Sequence, residues 1–229
     1  MIKKALLLVS GGLDSSTVLA MLDDQDYEIY ALSFNYLQNH LIEIEKIKHF
    51  IKLYNVKEHK IINLDLSAFR TTSLINKDIS VTKYETSSDI GANIPTTYVP
   101  ARNTIFLSYA LGYAEVVGAQ EIFIDAHVMD SANYPDCRLE YLKSFEAMAN
   151  LATKMGVEGI KTSIKAPLIK MNKADIVRTG LNLNVDYSNT ISCYDPNAQG
   201  HSCGKCHPCL IRLDAFKANN VKDPITYVE

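Results

Sequence analysis

Apolar residues along the chain fall in short blocks whose period switches between two and three to four. Lys3 to Ser10 is an apolar run halted by Gly11 and Gly12, and from Ser15 onward Val18, Leu19 and Leu22 recur at helical spacing. The stretch YEIYALSFNY (27–36) reads as a second strand, Leu41, Ile44, Ile47, Ile51 and Tyr54 mark one face of a second helix, and HKIINLDL (59–66) supplies a third strand. From Ser67 to Thr97 the pattern dissolves into serine, threonine, lysine and aspartate, punctuated by Gly91 and Pro95. That is a long loop or an insertion, and such loops are usually functional or mobile. Periodicity returns as a helix over 103–119, a strand over 121–128, a helix over 138–155, a strand over 161–167 and a helix over 172–181. Strands alternating with helices in this order predict an α/β fold, doubly wound around a mostly parallel sheet covered on both faces. The layout divides into a main domain over 1–185 and a small cysteine-rich C-terminal segment over 186–229.

Composition narrows the picture. At 229 residues and 47% hydrophobic content the chain can bury a substantial core, so a metal is not needed to rescue an undersized one. Any metal site therefore calls for a local reason. The net charge of −3, with no long run of like charge, disfavours a nucleic-acid partner. No apolar stretch reaches the length of a membrane span, and the N-terminal MIKKALLLVS continues into a polar turn rather than a cleavage site. The expectation is a cytoplasmic protein with no membrane partner. The five cysteines, at 137, 193, 203, 206 and 209, suit a reducing compartment and a metal better than a disulfide framework.

A strand that ends in glycines and turns directly into a helix leaves backbone N–H groups unpaired where the helix dipole is positive, which makes an anion site. The centre of LLLVSGGLDSSTVLAML (6–22) has this form. Gly11 and Gly12 permit close approach of a phosphate, Ser10, Ser15 and Ser16 offer hydroxyls, and Asp14 can cap the helix or hold Mg2+. The lysine and the spacing of a Walker A loop are both missing. Instead S-G-G-x-D-S resembles the pyrophosphate loop of ATP-dependent ligases that adenylate an oxygen, such as NAD, GMP and asparagine synthetases. The candidate ATP-binding residues are Val9, Ser10, Gly11, Gly12, Leu13, Asp14, Ser15, Ser16, Thr17, Val18 and Leu19, and the candidate catalytic groups are Asp14, Ser15 and, further along the chain, Arg102.

Cys193, Cys203, Cys206 and Cys209 stand in SCYDPNAQGHSCGKCHPC. Two consecutive C-x2-C spacings let neighbouring thiolates converge on one ion, and the more distant first cysteine can close a tetrahedron. Zn2+ in a structural role is the default and an iron–sulfur cluster the alternative. Between these motifs, DSANYPDCRLEY (130–141) follows a strand, where doubly wound folds bind ligands. It carries Asp130, Tyr134, Asp136, Cys137 and Arg138, although a lone cysteine such as Cys137 is more often a buried filler. In YVPARNTIF (98–106), Arg102 is available to a carboxylate or phosphate and Asn103 can cap the following helix.

Together SGGLDSS, VPARN, YPDCR and the terminal SCYDPNAQGHSCGKCHPCLIRLDAF resemble the 7-cyano-7-deazaguanine synthase family of queuosine biosynthesis, in the same order and over nearly the whole chain. The resemblance implies an adenine nucleotide alpha hydrolase-like (Rossmann-like) fold with a small C-terminal zinc-binding subdomain, and a homodimer. It implies a reaction in which ATP, 7-carboxy-7-deazaguanine and ammonia give the nitrile through an adenylate and an amide. By position, Ser10 to Ser16 hold pyrophosphate, Arg102 and Asn103 border the ATP or substrate site, and Tyr134, Asp136, Cys137 and Arg138 line the deazaguanine pocket. Asp130 and Asp136 both stand as the acid that reads the guanine edge. The chain departs from the family pattern at Leu37 and Asn39, where a glycine and a cation are usual, at Ala101 and at Asn133. A relative that stops at the amide, or passes the acyl group to another amine, is the alternative. A tRNA-modifying ligase predicts a basic face that this composition lacks.

Overall fold

The computed structural model describes residues 2–36, 42–91, 93–128 and 133–228. Five strands, β1 (Lys4–Leu8), β2 (Glu28–Asn35), β3 (Val56–Asn63), β4 (Glu121–Phe123) and β5 (Ser163–Lys165), form one sheet in the order β3-β2-β1-β4-β5. All four pairings are parallel. The helices are α1 (Leu13–Asp24), α2 (Ile42–Phe50), α3 (Arg102–Val117), α4 (Leu139–Ala152), the single turn α5 (Lys154–Val157), α6 (Lys173–Asn182) and α7 (His207–Ala218).

Side chains alternate across a strand, so β1 feeds both faces of the sheet. Ala5, Leu7 and Val9 pack on one face with Val18 and Leu19 of α1, Ile176 and Val177 of α6 and Phe216 of α7. Leu6 and Leu8 pack on the other with Leu107 and Ala110 of α3 and Leu142 and Phe145 of α4. This double burial is why β1 reads as an unbroken apolar run. The expected doubly wound architecture is present, although the third strand begins three residues earlier than HKIINLDL suggests and the fourth is shorter.

The stretch expected to be a long loop is irregular, with brief 3-10 turns at Ser67–Phe69 and Ser87–Asp89. It is nonetheless tied down. Lys83 forms an antiparallel bridge with Cys206, and the Tyr84 N–H donates to the Lys205 carbonyl at 2.8 Å. Helix α7 was not anticipated from its sequence. It buries Arg212, which donates to both carboxylate oxygens of Asp223, at 2.7 and 3.0 Å. The same guanidinium reaches the Tyr187 carbonyl at 3.1 Å and the Thr190 hydroxyl at 2.8 Å. One buried ion pair thus joins α7, the C-terminal tail and the segment leading to the first cysteine of the cluster.

Candidate active site and metal centre

In the order β3-β2-β1-β4-β5 the connections reverse direction between β1 and β4, and a crevice opens beyond the carboxyl ends of these strands. A cavity of about 230 Å³ lies there, bordered by Ser10, Gly12 and Asp14 after β1, Asp125 and His127 after β4, and Lys173 of α6.

The loop after β1 is held in shape by its own serines. Gly11 adopts φ +88°, a left-handed conformation that a side chain resists. The Ser15 hydroxyl receives the Ser10 N–H at 3.2 Å and donates to the Gly12 carbonyl at 3.4 Å, while the Gly12 N–H donates to the Ser10 hydroxyl at 3.2 Å. From far along the chain the Ile191 N–H donates to the Gly11 carbonyl at 3.1 Å. Gly12 is the cap position of α1 and no side chain caps it, so Asp14 does not serve as the cap. Thr17, Val18 and Leu19, expected among the nucleotide-binding residues, face the core beneath the loop. Thr17 contacts the buried Tyr187 hydroxyl at 2.7 Å, and the Ser16 hydroxyl is fully buried with no hydrogen-bond partner among the described residues.

Asp14 has a different partner. The Lys173 ammonium donates to both of its oxygens, at 2.8 and 2.6 Å, and to His127 Nε2 at 2.9 Å. The lysine missing from the loop is therefore supplied by the start of α6, where Asn172 and Asp175 close a reciprocal capping box. Burial alone would raise the Asp14 pKa, but Lys173 and then His127 outweigh it and hold the carboxyl below its ordinary value. Burial, reinforced by Lys173, pushes the His127 imidazole down to about 4. The ring is neutral at pH 7, and as an Nε2 acceptor it carries its proton on Nδ1. Burial and then repulsion from Asp14 push Asp125 up to about 6.

Asp125 and His127 have opposite effects on stability. Between pH about 4 and 6 native Asp125 keeps a proton that the unfolded chain has shed, so its contribution weakens the fold as pH rises through that window. His127 in the unfolded chain takes up a proton below its ordinary 6.5, whereas the native ring resists until about 4, so its stabilising contribution is lost as pH falls across that range. Asp125 is faced by Asp14, Lys173 and Arg102, and His127 by Lys173, Asp14 and His207. Asp125→Asn is expected to raise stability at pH 7 by on the order of 1–3 kcal/mol and to expose the His127 dependence. Calorimetry should then show a melting temperature that falls on acidification toward pH 4 more steeply than in the parent. Parallel profiles would contradict this assignment.

A second group of cavity residues comes from α3 and the turn before α4. Arg102 donates to the Tyr36 hydroxyl at 3.3 Å, and its guanidinium carbon lies 5.9 Å from the Tyr36 ring centre. Asn103 does not cap α3, because the helix already starts at Arg102 with Ala101 as its cap residue. Its own N–H is capped instead by Asp136, at 2.9 Å, while its side-chain amide approaches the Cys137 sulfur at 3.2 Å. Tyr134 and Cys137 border the cavity, as expected of the YPDCR stretch. Asp136 stands behind that wall holding the start of α3, and Arg138 is exposed at the start of α4, so neither lines the cavity as expected. Asp130, Leu37 and Asn39 lie outside the described residues.

Ala101 adopts φ +52°, a left-handed conformation. For a residue with a Cβ this costs roughly 1–2 kcal/mol, partly offset in glycine by its greater unfolded-state freedom. Ala101→Gly is therefore expected to stabilise the protein by about 0.5–1 kcal/mol. A denaturant titration checks this, and a lowered midpoint would contradict it.

The four cysteine ligand atoms of Cys193, Cys203, Cys206 and Cys209 all lie within 4.8 Å of one another. Backbone N–H groups of Asp195 and Cys203 point at the Cys193 sulfur, at 3.3 and 3.2 Å, and that of Cys206 at the Cys203 sulfur, at 3.3 Å. Converging sulfurs with N–H donors turned toward them fit a tetrahedral thiolate site for one ion. The segment also builds the cavity, since Ile191, Ser192, Tyr194 and His207 form part of its wall.

A parallel sheet with S-G-G-x-D-S at its switch point defines an α/β protein of the pyrophosphate-loop, adenine nucleotide alpha hydrolase-like class, here with a four-cysteine site near its C-terminus. The solved NMN synthetase of Francisella tularensis has this fold, with a TM-score of 0.51 at 15% identity over 96% of this chain and 79% of that one. Residues 4–220 match the family described as "Queuosine biosynthesis protein QueC". Proteins named 7-cyano-7-deazaguanine synthase from Rickettsia rickettsii (strain Sheila Smith) and Rickettsia conorii (strain ATCC VR-613 / Malish 7) are each 60% identical over 226 residues, which cover 99% of this chain and 99% of theirs. The chain belongs to the 7-cyano-7-deazaguanine synthase family of queuosine biosynthesis.

Proposed function

We propose that this chain is an ATP-dependent ligase that converts 7-carboxy-7-deazaguanine and ammonia into 7-cyano-7-deazaguanine. The observation that carries this reading is the meeting, in one cavity, of the S-G-G-x-D-S loop and Lys173 with Arg102, Tyr134 and Cys137. The substrate carboxylate attacks the α-phosphorus of ATP and pyrophosphate departs. Developing negative charge falls on the N-terminus of α1 and on Lys173, which are already oriented, so little reorganisation accompanies the step. Arg102 is placed to hold the carboxylate or the α-phosphate, and the Tyr134 ring to lie against the deazaguanine plane. Ammonia displaces AMP to give the amide, a second ATP adenylates the amide oxygen with release of pyrophosphate, and loss of AMP and a proton leaves the nitrile.

Asp14 is the loop carboxylate that would hold Mg2+ beside Lys173, and Mg2+ would supply charge neutralisation on the polyphosphate. Zn2+ would be held by Cys193, Cys203, Cys206 and Cys209 and would fix the Ile191–Tyr194 wall. We assign the protein to the cytoplasm and to a homodimer on the family resemblance; among the described residues no helix is long and apolar enough to cross a membrane.

The test is to incubate purified protein with ATP, Mg2+, ammonia and 7-carboxy-7-deazaguanine and to follow AMP and the purine product by mass spectrometry. Nitrile and AMP are expected. Amide without nitrile would support the alternative ending at the amide, consistent with the departures at Leu37 and Asn39. Absence of AMP would overturn the assignment.

A further inference from the structure

The side chain of Lys83 serves none of the roles above, yet its surroundings are unusual for a lysine within an irregular segment. Its backbone bridges Cys206 and its ammonium lies 2.6 Å from Asp195 Oδ2. Cys203 is among the groups that face the same ammonium. Val81, two residues earlier, packs with Ile191, Cys193, Cys206 and Cys209. Tyr194, which borders the cavity, sits directly between a cysteine of the cluster, Cys193, and the lysine's partner, Asp195.

An exposed lysine–carboxylate pair contributes little by itself. Four thiolates around a divalent ion are another matter, because they leave excess negative charge that a nearby cation offsets, and groups outside the ligand shell tune affinity by about 10- to 100-fold. The Lys83 ammonium faces that charge and is paired with the residue following Tyr194, whose own N–H points at the Cys193 sulfur at 3.3 Å. We propose that Lys83 is a positioning residue that steadies the four-cysteine site from outside and, through Asp195, fixes the Tyr194 wall of the cavity. The segment between β3 and α3 is then a strap fastened to the metal centre at its middle. At its far end it is fastened to the deazaguanine side, where Thr97 contacts the Tyr134 hydroxyl at 3.1 Å.

The part concerning the cavity rests on the proposed function, whereas the part concerning the metal does not. The experiment compares the full-length parent, Lys83→Met and Lys83→Arg, all loaded with zinc. Zinc release to a chromogenic chelator is timed, and KM values for 7-carboxy-7-deazaguanine and ATP are measured separately. Lys83→Met is expected to release zinc about 10-fold faster. It should also raise KM for the deazapurine several-fold with KM for ATP unchanged, and Lys83→Arg should restore both. Equal release rates in parent and Lys83→Met would overturn the proposal, as would an arginine variant that behaves like methionine or a matching rise in KM for ATP. If the parent fails to turn over the deazapurine, the functional reading fails and the release rates still decide the role of Lys83 at the metal.

Discussion

Arg212→Met is expected to destabilise the protein by about 3–5 kcal/mol, the range found when one partner of a buried ion pair is removed. Arg212 is 1% exposed and Asp223 6% exposed, so water cannot replace the lost guanidinium around the carboxylate. Among the described residues the Tyr227 hydroxyl, donating to Asp223 Oδ2 at 2.7 Å, and the Ile225 N–H, donating to Oδ1 at 3.3 Å, would remain on the carboxylate. The Tyr187 carbonyl and the Thr190 hydroxyl lose a charged donor at the same time. A double variant, Arg212→Met with Asp223→Asn, removes the buried charge altogether and is expected to recover more than half of the loss. Denaturant titrations of the parent, both single variants and the double variant measure this coupling. If the single and double losses add, the pair does not act as a unit.

The damage should extend to the site. Thr190 adjoins Ile191, whose N–H holds the Gly11 carbonyl, and Arg212 also reaches the Ser192 hydroxyl at 3.4 Å. The phosphate loop is therefore braced by a segment distant in sequence from it. The C-terminal cysteine-rich segment is thereby part of the frame that holds the loop after β1.

How much of this could be read from the sequence depended on how local each feature is. The β1 strand, its glycine turn and α1 are contiguous, and their chemistry follows from backbone geometry, so SGGLDSS was legible. The cysteine cluster was legible for the same reason, since its ligand spacing encodes its convergence. Lys173 was not, because its importance arises from a contact with a residue 159 positions away. The available signal was a lysine directly after Asn172 at a helix start, which by itself marks a capped helix. Asn103 was assigned the cap of α3 because nothing local shows that Asp136, 33 positions away, would hold its N–H. Helix α7 escaped notice because one of its most buried side chains is an arginine, which breaks the apolar period that reveals a helix. Asp125 and His127 are absent from the sequence-based candidates; the signal available for them was their place as polar interruptions at the end of an apolar strand, where doubly wound folds put functional groups.

Lys173→Met is expected to lower ATP–pyrophosphate exchange, measured with 7-carboxy-7-deazaguanine, by about a hundred- to a thousandfold. The lysine is fixed on Asp14 by two contacts at 2.8 and 2.6 Å, at the rim of the loop where pyrophosphate charge would gather. Its removal also leaves a partly buried carboxylate without its main partner, so the Asp14 pKa should rise and stability fall along with activity. Asp14→Asn in the same chain separates the two effects. With the orphaned charge gone, the melting temperature should return toward that of the parent while exchange stays low, because no cation has been restored at the pyrophosphate. Lys173→Arg keeps the charge but not the compact ammonium geometry that lets one group contact Asp14 and His127 together, and it should fall between the parent and methionine. Recovery of exchange in the double variant would mean that Lys173 acts only by neutralising Asp14, and the loop and helix dipole would then carry the pyrophosphate without it.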